Sequence, residues 1–185
     1  MSCFSPVAAL LLAGLTASAG QIKFATLAPE GTEAMKVMQA IDAEVQQKTG
    51  GALKFKFYAG GRQGDEKDIV RKMRSGQLQA GGFTGVGLGE LAPLVRVVDG
   101  PWLFRDSSEV DHIYEKFAPD FEKAFSDAGY GLLGWTEVGF IYVFSKTSVS
   151  GPEDMRKIKI WVWEGDPIAE AAYAALGVHP IPLSI

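Results

Sequence analysis

Along this chain, stretches of alternating apolar and polar residues are followed by stretches with helical spacing. Residues 21–26 (Gln-Ile-Lys-Phe-Ala-Thr) alternate and predict a short strand. Ala34, Met38, Ile41 and Val45 then recur on one helix face, with Glu33, Asp42, Glu44 and Gln46 on the others. Thr32 stands where an N-cap is expected, and Gly50-Gly51 stops the helix. Leu53, Phe55 and Phe57 alternate with Lys54 and Lys56, predicting a second strand. A glycine-rich loop over 58–64 leads into a helix from about Asp65 to Ser75. Its acids Asp65, Glu66 and Asp68 come early and its bases Arg71, Lys72 and Arg74 late, the order a helix dipole favours. Residues 79–85 predict a third strand and residues 86–91 a short helix.

Pro101-Trp102-Leu103-Phe104-Arg105-Asp106 reads as an apolar turn. Ser107 or Ser108 is expected to cap a helix carrying Val110, Ile113, Tyr114 and Phe117. Pro119 is expected to interrupt it, and Phe121, Ala124, Phe125 and Ala128 resume the spacing. Two strand-like runs, 132–138 and 140–144, flank Gly139. Residues 157–163 predict a buried strand on which Trp161 and Trp163 share a face. Asp166-Pro167 opens a helix, Asp as N-cap and Pro in the first turn. Gly177 ends that helix, and 178–182 begin another strand-like run. The order β-α-β-α-β, then helices, then β-β-α-β predicts an α/β fold with largely parallel sheets. The run to Ile185 is apolar and uncovered, so the chain reads as truncated, with an unpaired sheet edge there.

Composition narrows the function. The 185 residues are 47% hydrophobic and 22% charged, ordinary for one domain or two small ones. The formal net charge is -4, with no block of like charge. Nucleic acid and anionic membrane surfaces are therefore not expected partners. Residues 7–15 form an apolar run followed by Ala17-Ser18-Ala19, a signal-peptidase pattern with cleavage expected after Ala19. The run is too short to span ~30 Å of hydrocarbon, so no membrane insertion is expected after cleavage. The single cysteine, Cys3, precedes the run. The mature chain would then have no disulfide, thiol nucleophile or cysteine metal site.

Catalytic patterns are absent from the sequence. His112 and His179 have no second ligand at metal spacing, and no Gly-x-Ser-x-Gly occurs. The glycine-rich run 81–89 matches neither a dinucleotide fingerprint nor a P-loop. No cofactor is implied.

Five pieces of the chain resemble the substrate-binding subunit of TRAP transporters, the DctP-type family. They are Ala28-Pro29-Glu30-Gly31-Thr32, Phe57-Tyr58-Ala59-Gly60-Gly61-Arg62-Gln63-Gly64, Pro101-Trp102-Leu103-Phe104-Arg105, residues 153–160, and residues 175–182. They occur in the family's order and spacing over about Ile22 to Ile185. The resemblance implies a periplasmic binding protein of type II-like α/β fold, two lobes joined by a hinge, with the second lobe incomplete. Residues 1–19 would be the signal peptide, 20–138 the first lobe, and 139–185 the hinge strand and start of the second. It also implies a non-enzymatic role: a small organic ligand is trapped between the lobes and passed to TRAP permease subunits in the inner membrane. A sensor's ligand-binding domain, or a periplasmic enzyme on a similar fold, are the competing readings.

The family's carboxylate clamp is an arginine on the strand matching 158–162, and that position is Trp161 here. A second arginine of many acid-binding members would match Ile141. Tryptophan offers a flat apolar surface and one indole donor in place of a guanidinium, so a ligand of more apolar or aromatic character is expected. The candidate ligand residues are Trp161, Trp163, Glu137, Phe83, Thr84, Glu30, Thr32 and Asp166. All but Thr84 have a plainer reading: core packing for the tryptophans and Phe83, a solvated strand end for Glu137, a turn for Glu30 and Thr32, and a helix cap for Asp166.

Overall fold

The computed structural model describes residues 20–139 and 141–185. The expected signal segment therefore lies outside the described residues. Three parallel strands form the first sheet: β1 (Gly20–Thr26) in the centre, flanked by β2 (Leu53–Tyr58) and β3 (Ala80–Gly82). The register pairs Phe24 with Phe57 on one side and with Ala80 on the other. Helix α1 (Glu33–Lys48) connects β1 to β2, and α2 (Glu66–Arg74) connects β2 to β3. Beyond β3 come α3 (Gly85–Leu91), a 3-10 helix (Pro93–Asp99) and the long α4 (Ser107–Asp127). A second sheet holds two short parallel strands, β4 (Trp161–Trp163) and β5 (Ile181–Leu183), joined through α6 (Pro167–Ala175). A single helical turn, α5 (Pro152–Met155), precedes β4.

Two buried clusters stabilise the first layer. Ala25, Ile69 and Leu78 pack α2 onto the sheet. Val70, Leu91, Ala92, Val95, Phe121 and Phe125 join α2, α3, the 3-10 helix and α4. Phe83 packs against both. Trp135 closes the second cluster, with its ring centroid 4.7 Å from Tyr114, 5.8 Å from Phe121 and 6.0 Å from Phe125.

Several expectations need correcting. Helix α4 continues without interruption through Pro119. Proline removes the amide that would bond the Glu115 carbonyl, but both residues are exposed, so water can serve that carbonyl. The cap of α4 is Asp106, not a serine: its carboxylate accepts from the Ser108 and Glu109 amides at 3.0 and 3.1 Å. A carboxylate is the stronger acceptor at the positive end of a helix. Thr32 occupies the N-cap position of α1, yet its hydroxyl turns back to donate to the Pro29 carbonyl at 2.9 Å.

The third strand is shorter than expected because β1 ends at Thr26, leaving only three residues to pair. Residues 132–138 and 141–144 form no strand. Their β-forming side chains meet no described neighbouring strand, and an extended segment without a ladder gains nothing from β propensity. Ile141 and Phe144 are 98% and 92% exposed. The strand expected from residue 157 is reduced to β4, since α5 and its following turn occupy the residues before it.

Candidate functional site

The order β2-β1-β3 places a topological switch point at the carboxyl ends of β1 and β3. The chain leaves β1 toward α1 on one side and leaves β3 toward α3 on the other. A crevice forms where neighbouring loops part, the common ligand position in parallel α/β sheets. Glu30 and Thr32 lie in the loop after β1, and Phe83 and Thr84 directly follow β3. Four of the eight candidates therefore converge on this edge of the sheet.

The loop after β1 is braced by the glycine-rich loop after β2. Gly60 donates to the Ala28 carbonyl at 2.9 Å and Gly61 to the Thr26 carbonyl at 3.1 Å. Gly60 and Gly61 have φ of 64° and 71°, the left-handed conformation that admits glycine most easily. Glu30 pairs with Arg62 at 3.1 Å on the open surface.

Glu66 is the buried centre of this region, and sequence reasoning assigned it only to the helix dipole. Its side chain is 1% exposed. Oε1 accepts from the Thr84 amide at 2.7 Å, and Oε2 accepts from the Thr84 hydroxyl at 2.9 Å and the Gly87 amide at 2.7 Å. Burial pushes its carboxyl above the usual range, against the pull of these donors; neighbouring Asp65 adds to the rise. The glycines of α3 explain themselves here. A Cβ on Gly87 would collide with Glu66 and Phe83, one on Gly85 with Asp99, and one on Gly89 with Arg96.

A second set of charges joins the 3-10 helix to α6. Arg96 Nη2 donates to Asp166 Oδ1 at 2.7 Å, and Arg96 Nε lies 2.8 Å from Asp99 Oδ2. The Nε contact is ionic rather than a directed hydrogen bond, since that atom has no aligned acceptor. Burial raises the Asp99 carboxyl, Arg96 lowers it and Asp166 raises it again. Asp166 also caps α6 as its sequence position suggested, accepting from the Ile168 and Ala169 amides at 3.2 and 3.4 Å.

The two tryptophans lie on one side of β4, ring centroids 6.4 Å apart and planes 35° apart. Trp163 is half-buried and donates Nε1 to Asp65 Oδ2 at 2.9 Å, which ties β4 to the start of α2. Trp161 is 46% exposed, and its indole donates to the Leu183 carbonyl at 3.3 Å. Glu137 stands apart: its partner is the Ser107 hydroxyl at 2.7 Å, at the start of α4. A groove of about 500 Å³ between Pro101-Trp102 and the outer face of α6 is lined by neither tryptophan of β4 nor any residue at the switch point.

Comparison with known proteins agrees with this architecture. The family model for bacterial extracellular solute-binding proteins, family 7 (DctP), matches residues 24–185. The chain is 26% identical over 141 residues to the 2,3-diketo-L-gulonate-binding periplasmic protein YiaO of Escherichia coli K12, covering 75% of this chain and 43% of that one. It is 27% identical over 164 residues to the ectoine/5-hydroxyectoine-binding periplasmic protein UehA of Ruegeria pomeroyi, covering 83% and 44%. A TRAP periplasmic solute-binding protein from Pseudomonas putida F1, crystallised with D-glucuronate, superimposes with a TM-score of 0.81 at 26% identity, covering 89% of this chain and 54% of that one. The chain spans about half the length of the relatives it matches.

Proposed function

The chain belongs to the bacterial extracellular solute-binding proteins of family 7, and on that basis we propose that it captures a small organic molecule in the periplasm and delivers it to a TRAP-type permease. The ligand would bind between a first lobe, residues 20–138, and a second lobe that begins at residue 139. The observation that carries this reading is the convergence of Glu30, Thr32, Phe83 and Thr84 at the β1–β3 switch point, with Trp163 of β4 bonded to Asp65 beside it. Trp161, Trp163 and Asp166 would supply the facing wall, and Glu137 a polar contact at the crossing between lobes.

The ligand class follows from the cations. A clamp needs a guanidinium free to meet a carboxylate in a bidentate pair. Trp161 and Ile141 occupy the two clamp positions that the family resemblance assigns. Arg96 is already held by Asp99 and Asp166, and Arg62 by Glu30. A carboxylate buried without a cation costs several kcal/mol, of order the penalty for an uncompensated ion. The favoured ligand is therefore a compact molecule with a flat or apolar face, uncharged or internally neutralised. The relatives' ligands make the contrast testable: ectoine is a zwitterionic ring, D-glucuronate a polar anion.

Calorimetry on the purified full-length protein, with native mass spectrometry of any co-purified molecule, tests this reading. The expected result is binding of ectoine or of a neutral, ring-bearing molecule, with D-glucuronate and succinate at least tenfold weaker. Micromolar or tighter binding of D-glucuronate or succinate would overturn the assigned ligand class.

A further inference from the structure

We propose that Glu66 is a positioning residue for the ligand site, and that it makes the Thr84 hydroxyl present an acceptor to the ligand. The proposal rests on the reading that Thr84 contacts ligand. An ionised carboxylate only accepts hydrogen bonds, and Glu66 accepts from the Thr84 amide, the Thr84 hydroxyl and the Gly87 amide. One side chain on the first turn of α2 therefore holds both the N-cap residue of α3, Thr84, and the first turn of that helix at Gly87.

The burial is built for this. Gly87 has no Cβ to collide with the carboxylate. Phe83, next to Thr84, is packed on both buried clusters. Thr84 is thus held by its amide and hydroxyl bonds to Glu66 and by its packed neighbour Phe83, while the residue remains exposed. The two adjacent acids point to different partners, Asp65 to the second sheet through Trp163 and Glu66 to α3.

The direction of the Thr84 hydroxyl bond has a chemical consequence. A hydroxyl has one proton and two lone pairs. Its proton goes to Glu66, so only lone pairs remain for a ligand. The site then prefers a hydroxyl or N–H donor at this point over a carbonyl or carboxylate oxygen. Glu66→Gln keeps the shape but breaks this logic. Whichever way the amide lies, its NH2 faces either the Thr84 amide or the Gly87 amide, donor against donor. An NH2 placed beside the Thr84 hydroxyl also frees that hydroxyl to donate.

The test uses wild type, Glu66→Gln and Thr84→Val in the full-length protein. Amide hydrogen exchange without ligand is the first readout. Glu66→Gln is expected to speed exchange at Thr84 and Gly87 by at least about tenfold, the change that follows when a bond of this class is lost. The Ala25 amide in β1 should stay as protected as in wild type. Affinity for ectoine and D-glucuronate is the second readout, using whichever of the two the wild type binds. Both variants should weaken it by about tenfold or more while each remains folded.

Unchanged exchange at Thr84 and Gly87, or an equal rise across all amides, would overturn the positioning role. So would faster local exchange with no change in affinity, which would leave Glu66 a fold residue. If the wild type binds neither probe, the role of Thr84 in recognising ligands of these two classes falls, and exchange alone decides whether Glu66 positions Thr84. A normal exchange response in that case separates the failure of the ligand reading from failure of the local geometry.

Discussion

At the scale of single residues, Glu66 couples protonation to stability in an unusual direction. Its carboxyl is raised above 4.5 by burial. The folded state therefore holds the proton more tightly than the unfolded chain does. The resulting stabilisation is present below the unfolded value and is lost as pH rises through the folded one. The melting temperature of wild type, measured relative to Glu66→Gln, should therefore fall as pH rises from below the usual glutamate value through the raised folded value. A difference that stays flat, or rises, would show that the carboxyl is not raised. Glu66 was hard to read from sequence because two acids at a helix start look alike; only the arrival of α3 distinguishes Glu66 from Asp65. The same holds for Arg96 and Asp99, whose partner Asp166 lies far along the chain. A usable signal was present in Gly85, Gly87 and Gly89, since so many glycines in a helix need a reason. Asp166 was legible as a cap because capping is local. Its pairing with Arg96 was not. Asparagine caps about as well as aspartate, so Asp166→Asn isolates the ion pair. Chemical denaturation should show a loss of up to about 1.5–3 kcal/mol, the range for a hydrogen bond to a charged group.

At the scale of elements, local rules served well where burial and local sequence agreed. β1, β2, α1, α2 and α6 lie where periodicity, caps and glycine stops placed them. Residues 132–138 and 141–144 show the limit: Val, Ile, Tyr and Phe favour strands, but strand formation needs a neighbour that sequence does not display. Pro119 shows another. The rule that proline breaks a helix assumes a carbonyl that must be bonded within the helix, whereas on the solvent side of α4 it can be bonded by water. Pro119→Ala should restore the missing amide and raise the stability of α4, by up to about 3 kcal/mol on the propensity scale. Thermal unfolding would register this as a higher melting temperature. A lower one would mean that proline's restriction of the unfolded chain outweighs the lost bond.

At the scale of the whole molecule, polar contacts link the two sheets. Trp163 reaches Asp65, Lys67 Nζ reaches the Glu164 carbonyl at 3.2 Å, and Arg96 reaches Asp166. Polar junctions of this kind separate more readily than apolar ones, which suits a protein proposed to admit and release a ligand there. Trp161, half-exposed on β4, should report that event, and Trp135, enclosed by Tyr114, Phe121 and Phe125, should not. Ligand-dependent tryptophan emission is expected to shrink in Trp161→Phe, with Trp163 left to report, and to persist undiminished in Trp135→Phe; the opposite pattern would remove Trp161 from the site. The glycines of α3 have a consequence for how such a protein diversifies. Because Asp99, Glu66 and Arg96 fill the space beside Gly85, Gly87 and Gly89, that wall leaves little room for new side chains. Variation in ligand preference has to enter through β4 instead, where a residue as large as tryptophan already stands partly in the open. A library aimed at altered specificity should randomise positions 161 and 163 and leave the helix of glycines untouched.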